Sequence, residues 1–371
     1  MSGPLAGVRV LEVGHMLAGP YCGLLLADLG AEVIKIEPPD GDIARRIGPH
    51  RSGPHNLYFA SLNRGKRSLV LDLATDAGQR ALHAQVARAQ ALVCNLRPGV
   101  IRRLGLDYAT LRRHNPRLVC VALTGYGLDG IDTDLPAYDY IIQALTGVMQ
   151  LTGEPGGPPV KTGYSAVDNS SGIMAALGLV AKLHEGRGGQ VDVALHDVML
   201  SQLNYLAAAW LNAGAVPERY PAGGHPYLVP AQLFESADGH LALFISHDRF
   251  WARFAREVGH AEWAADVRFA TMAARAEHRE QVIAAIGSVL RGQPTAHWVE
   301  RLRPQGIVIS GVHDLREALD SPLTRARDMV IETPVDGAAP LRLLGNPIKT
   351  DSAAARPAPP PLLGEYAGAA D

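Results

Sequence analysis

The chain has 371 residues, 47% of them hydrophobic and 19% charged, which is a globular composition long enough for a large core and two lobes. A net charge of −2 argues against a general nucleic-acid binder, which carries a basic excess. Cys22, Cys94 and Cys120 are dispersed in apolar segments and form neither a disulfide framework nor a zinc spacing. The sequence shows no signal segment and no apolar run of bilayer length, so a cytoplasmic protein with no membrane partner and no metal is expected.

In chain order, Val8 to Val13 reads as a strand, Tyr21 to Leu29 as a helix ended by Gly30, and Val33 to Ile36 as a second strand stopped by Pro38-Pro39. This βαβ unit starts a parallel sheet. Strands at Leu69–Leu73, Ala91–Cys94 and Leu118–Leu123 alternate with helices at Asp76–Arg88 and Tyr108–His114, the latter capped by Asp107. The pattern predicts a Rossmann-like, doubly wound α/β domain. Helices are expected at Tyr138–Met149, Ser170–Glu185 and His196–Leu211, with a strand at Gln190–Leu195. After a Gly/Pro-rich break, Gln232–Phe234 and His240–Ile245 form a hairpin turning at Asp238-Gly239, followed by helices near Arg249–Val258, His278–Leu290 and His297–Leu302. The expected division is a discontinuous large domain, 1–224 plus 331–371, and a small α+β domain, 225–330. A strand is expected at Met329–Glu332, and the Pro-rich Pro357–Pro361 runs extended.

One carboxylate stands out. Asp168, in Lys161-Thr-Gly-Tyr-Ser-Ala-Val-Asp168-Asn-Ser-Ser-Gly172, lies just before the helix expected from Ser170. There it faces the positive end of the helix dipole, which favours its ionised form. Such an aspartate is either a helix cap or a nucleophile, and its own segment does not decide.

Gly125-Tyr-Gly127-Leu-Asp-Gly130 matches a dinucleotide-binding pattern, but Ile131-Asp-Thr-Asp-Leu-Pro136 is no helix start, so a bend is expected. Basic turns lie at Asn63-Arg64-Gly-Lys66-Arg67, at Asn95-Leu-Arg97-Pro-Gly99 and at Arg102-Arg103. Arginine's forked donors suit phosphate, although an ordinary solvated face has the same composition. Of these, Asn95 and Arg97 follow a strand, the end at which open α/β sheets bind ligands. The histidines His15, His225 and His247 have no metal-ligand spacing, and no Gly-x-Ser-x-Gly elbow is present.

Six ordered blocks then resemble the class III CoA-transferases, a family that also includes the α-methylacyl-CoA racemases. They are Gly7-Val-Arg-Val-Leu-Glu12 with Leu17-Ala-Gly-Pro20, Leu26 through Pro38 with Gly41-Asp42 and Arg45, Leu62 through Leu73, Asn95-Leu-Arg-Pro-Gly99 with Leu104-Gly-Leu106, Pro136-Ala-Tyr-Asp139 with Gln143 to Gly147, and Asp168 to Gly172 with Gly188 to Val193. The resemblance implies a transferase that moves CoA between an acyl-CoA and a small carboxylic acid, as an interlocked homodimer with no permanently bound cofactor. It implies that Asp168 is the nucleophile, forming an aspartyl mixed anhydride and then an aspartyl-CoA thioester. It also implies CoA contacts at His15, Met16, Leu17, Leu71, Leu73, Asn95, Leu96, Arg97, Arg103 and Tyr138. A glycine loop closes over the aspartate in some members, and Ala222-Gly223-Gly224-His225 is the shorter candidate here.

The racemase branch of the resemblance gives the alternative function. It uses a His/Asp pair on the Tyr138 segment and the aspartate matching Asp168 as the two proton-transfer groups, and Tyr138 stands at the histidine position. A phenol with a pKa near ~10 is a poor base at neutral pH. His247 falls where racemases carry a glutamate. Arg45, Arg46, His225, His247 and Arg249 are candidates for a second substrate carboxylate, which would suit succinate, itaconate, mesaconate or citramalate.

Overall fold

The computed structural model describes residues 3–335, 339–351 and 358–367. The chain divides into two compact units, Met1–Thr146 with Thr162–Asn204 and Ser321–Asp371, and Gly147–Lys161 with Tyr205–Asp320.

The larger unit is built on parallel strands β1 (Arg9–Val13), β2 (Glu32–Glu37), β3 (Arg67–Val70), β4 (Ala91–Cys94), β5 (Val119–Thr124) and β6 (Gly189–Ala194). Among the described residues they form one six-stranded sheet in the order β3-β2-β1-β4-β5-β6. In register, Leu11 of β1 faces Ile34 of β2 and Leu92 of β4. This is the doubly wound α/β order, with its switch point between β1 and β4. The helices used below are α1 (Ala18–Asp28), α2 (Leu57–Asn63), α3 (Asp76–Val86), α4 (Pro98–Leu104), α5 (Asp139–Leu145), α6 (Ala166–Glu185) and α7 (Leu195–Ser201). One face of the sheet buries Leu11, Ile34, Leu92 and Cys120 against Leu82 and Val86 of α3 and Ile101 of α4. Each such fully buried aliphatic side chain contributes roughly 2 kcal/mol of apolar burial.

Three expected helices differ most, while the one expected at Tyr108–His114 ends at Leu111 and the one expected from Tyr21 begins at Ala18. Helix α6 begins at Ala166 rather than Ser170, because a remote acid satisfies its first amides. The segment expected as one helix from Tyr138 to Met149 breaks at Gly147, whose φ is +81°. The segment expected as one helix from His196 to Leu211 becomes α7 and α8 (Asn204–Ala213), with Asn204 at φ +25° between them.

The smaller unit takes in α8 from Tyr205 onward, β7 (Ala231–Glu235), β8 (His240–Phe244), α9 (Asp248–Glu257), α10 (Arg279–Leu290), α11 (Thr295–Leu302) and β9 (Val308–Gly311). Strands β7 and β8 form the expected hairpin, closed by Ser236 N donating to Gly239 O at 2.9 Å, and β9 pairs with β8. Their alternate residues pack on Trp251, Phe254, Trp263 and Trp298. The boundary expected at 224/225 falls at 204/205, and residues 321–330 go with the larger unit. Arg219 accounts for part of this difference. Its guanidinium donates to the carbonyls of Met149, Gln150, Gly157 and Pro158, which ties 205–224 to 147–161.

Strands β10 (Val330–Thr333) and β11 (Leu341–Leu344) pair antiparallel. Residues 358–367 then return to the sheet. Tyr366 N donates to Ser68 O and Gly364 N to Ser68 Oγ, both at 3.0 Å, while Arg45 reaches Pro361 O at 3.1 Å. Of the extended segment expected at 357–361, Pro357 lies outside the described residues, and Pro360 and Pro361 are buried.

Candidate active site

The turns after β1 and β4 meet at the switch point. Asn95 ties them together: its Oδ1 accepts from His15 N at 3.0 Å and its Nδ2 donates to His15 O at 2.9 Å. A side chain lying across the β1–α1 turn explains both glycines of that turn. A Cβ at Gly14 would collide with Asn95 Oδ1, and one at Gly19 would lie 2.9 Å from Asn95 Cγ.

Helix α6 crosses α1 at Gly172, where a Cβ would lie 2.9 Å from Ala18 O and 3.2 Å from Cys22 N. Asp168 sits one turn earlier on the same face of α6, so the close crossing places its carboxylate over the amino end of α1. The N-cap position of α1, Leu17, supplies no side-chain cap.

Asp168 is not a cap. That role belongs to Asp139 of α5, whose buried Oδ1 accepts from Val167 N at 2.8 Å and from Asp168 N at 3.4 Å. Asp139 Oδ2 accepts from Gln143 Nε2 at 2.7 Å. Among the described residues, no hydrogen bond ends on the Asp168 carboxylate. The expectation that the helix end favours its ionised form is corrected here. Burial first, and then the Asp139 charge, push Asp168 up to about 7. The amides that would have favoured ionisation are used by Asp139 instead.

Asp168 opens on a cavity of about 80 Å³ lined also by His15, Met16, Leu17, Asn95, Leu96, Arg97 and Tyr138. His15 and Leu96 also line a cavity of about 410 Å³, walled by Val13, Ile36, Leu71, Leu73 and Leu104, with Arg46 at its side. Asp168 and the candidate CoA contacts thus line two cavities that share His15 and Leu96, all but Arg103, which is exposed on the last turn of α4.

A sequence profile of CoA-transferase family III matches residues 5–366. The chain belongs to that family, and it is a CoA-transferase. It is 36% identical to an acetyl-CoA:oxalate CoA-transferase of Acetobacter aceti, over 97% of this chain and 93% of the relative. It is 33% identical to a succinate–glutarate CoA-transferase of Agrobacterium fabrum, over 98% and 94%. A CaiB/BaiF family protein of Brucella suis superposes with a TM-score of 0.86 at 31% identity, over 98% and 97% of the two chains.

In this CoA-transferase, several sequence candidates are already engaged elsewhere. Arg64 pairs with Asp28, Lys66 with Glu12, and Arg67 with Glu32. Arg45 is held by Glu37 through its Nη2 and Nε, at 2.7 and 2.8 Å, and stacks over Phe59. Arg249 lies over Phe250, and His247 Nδ1 is 2.8 Å from Ser246 Oγ. His225 Nδ1 accepts from Tyr227 N and Leu228 N, and burial lowers its pKa. The 125–130 glycines follow β5 as turns, with Gly127 N donating to Thr124 Oγ1, and open no helix.

Two functional candidates escaped the sequence reading as independent signals. Asp139 is marked in the sequence only as the last residue of the block Pro136-Ala-Tyr-Asp139. Tyr58 of α2 was not singled out, yet its phenol is pushed up first by burial and then by the charges of Asp168 and Asp42, which places it in the same electrostatic field.

Proposed function

We propose that Asp168 is the nucleophile of CoA transfer between an acyl-CoA and a free carboxylic acid. Its ionised carboxylate attacks the thioester carbonyl. The C–S bond breaks, leaving a mixed anhydride and CoA thiolate. The thiolate then attacks the aspartyl carbonyl of the anhydride and expels the donor acid as a carboxylate. The acceptor carboxylate repeats both steps in reverse, so bonds and charges balance and no oxidant is needed. The carrying observation is a half-buried carboxylate with no hydrogen bond among the described residues, beside a cavity at the carboxyl edge of β1 and β4. Backbone amides at the uncapped amino end of α1 are suited to stabilise the oxyanion formed at each attack.

The CoA is proposed to lie along the turn at His15, Met16 and Leu17, with Asn95, Leu96, Arg97 and Tyr138 beside the thioester arm and Leu71 and Leu73 toward the larger cavity. Arg103, with Arg97, would face the phosphates from α4. The relatives are named for oxalate, succinate and glutarate. These names support dicarboxylic acids as substrates, with succinate, itaconate, mesaconate and citramalate as the acids to test.

We further propose a cytoplasmic homodimer of the interlocked kind. Helix α8 supports a second copy: it is strongly apolar yet has no buried residue, with Trp210 54% and Leu211 78% exposed. Light scattering on a sizing column checks the dimer, and a monomer would refute it.

The test of the chemistry is incubation with an acyl-CoA plus each acid, read by mass spectrometry for a new thioester. Asp168→Ala is expected to make none. Exchange of the α-proton for deuterium without transfer would favour the racemase reading instead.

A further inference from the structure

Four charged side chains lie beneath the β1–α1 turn, each essentially inaccessible to solvent: Glu12, Lys35, Asp42 and Lys66. Lys35 Nζ lies 2.8 Å from Glu12 Oε1 and 2.9 Å from Asp42 Oδ2, and Lys66 Nζ lies 2.7 Å from Glu12 Oε2. Two cations thus face two anions, and the cluster is neutral. Burial of such ion pairs is weak evidence for stability, because desolvation offsets most of the attraction. Their remaining hydrogen bonds are more telling, since most run to the backbone of the turn. Lys35 donates to Gly14 O at 3.0 Å and Lys66 to Pro20 O at 2.7 Å. Asp42 Oδ1 accepts from Met16 N at 3.2 Å, and Met16 has φ +61°, a conformation that a side chain other than glycine rarely adopts unaided. The clamp by Asn95 on His15 supplies a further hold.

We infer that Asp42, Lys35 and Lys66 are positioning residues for the thioester substrate, holding the 14–20 turn in the one conformation that binds CoA and presents the amino end of α1 to Asp168. This rests on the proposed placement of CoA along that turn. Among the described residues the cluster makes no hydrogen bond or ion pair to Asp168, and Asp42 lines the larger cavity assigned to CoA, so its effect should appear on the CoA side of the kinetics.

The test compares Asp42→Leu with Asp42→Asn in the full-length protein. Asparagine can still accept from Met16 N, whereas leucine cannot, and Glu12 still pairs with Lys35 in both. Asp42 Oδ1 accepts from Ala44 N at 2.9 Å as well as from Met16 N, and both bonds go in Asp42→Leu, which is expected to raise KM for the acyl-CoA about tenfold and to leave KM for the free acid within about twofold. Asp42→Asn should recover most of that loss. Lys66→Met should reproduce the Asp42→Leu pattern through Pro20, and it supplies the comparison if Asp42→Leu does not fold. Equal changes in both KM values, an unchanged acyl-CoA KM, no recovery by asparagine, or failure of both Asp42→Leu and Lys66→Met to fold would each overturn the inference. Wild-type transfer with an inactive Asp168→Ala keeps the functional reading standing in those cases. Absence of transfer by the wild type removes that reading instead.

Discussion

Two groups of acids, one fully buried and one that includes the half-buried Asp168, lie near the amino end of α1, and their surroundings are opposite. Beneath the β1–α1 turn, Glu12 and Asp42 each meet a lysine ammonium within 3 Å. At the start of α6, Asp168 meets another acid, Asp139, and no cation reaches it among the described residues. Burial dominates in both places, but its outcome differs. Glu12 is held below the usual carboxylate range even though burial alone would raise it, because Lys35 and Lys66 outweigh that effect. Asp168 is raised because nothing opposes burial. A matched set of charges fixes backbone. An unmatched carboxylate keeps its raised pKa.

The largest break in this comparison is removal of the proposed nucleophile. On the proposed mechanism Asp168→Asn should lower kcat by ~1000-fold or more, with no aspartyl adduct of CoA seen by mass spectrometry, because a covalent nucleophile has no substitute. Next is the acid beside it. In the wild type, kcat/KM for acyl-CoA should fall as pH drops through about 7, where Asp168 takes up its proton. Asp139→Asn removes the like charge, so that limb should move to lower pH by about one unit. An unmoved limb would show that Asp139 only caps the helix.

The third break is steric. Gly19→Ala forces Asn95 off the turn and should raise KM for acyl-CoA by roughly fivefold in steady-state assays, since overpacking at a close contact costs on the order of 1 kcal/mol. The smallest concerns stability. The raised pKa of Asp168 means that the folded state binds its proton more tightly than the unfolded chain does. That stabilisation is present at low pH and is lost as pH rises through about 7. Asp168→Asn should therefore gain more thermal stability over the wild type at pH 8 than at pH 5, by roughly 2 °C in melting temperature.

Much of the sheet was legible, because alternation of short apolar strands with helices leaves few arrangements other than a parallel sheet. Asp168 was legible as a candidate because acid, small residues and Gly172 recur in one run. Its environment was not. The acid that caps α6 lies 29 positions upstream, and a local reading assigns the free amides to the nearest carboxylate. The same limit explains the basic run at 64–67. Its composition suits phosphate, but Arg64, Lys66 and Arg67 are paired with Asp28, Glu12 and Glu32, partners that only the folded sheet brings near. The shared use of the β1–α1 turn by Lys35, Asp42, Lys66 and Asn95 was invisible for that reason too.

The returning segment at 358–367 has a consequence for handling the protein. It lies along β3, one of the two edge strands of the large sheet, and occupies Ser68 O and Ser68 Oγ. A chain cut before residue 358 would expose bare backbone groups along that rim, a template for pairing with another molecule. Shortening the tail therefore invites self-association even though every catalytic candidate remains in place.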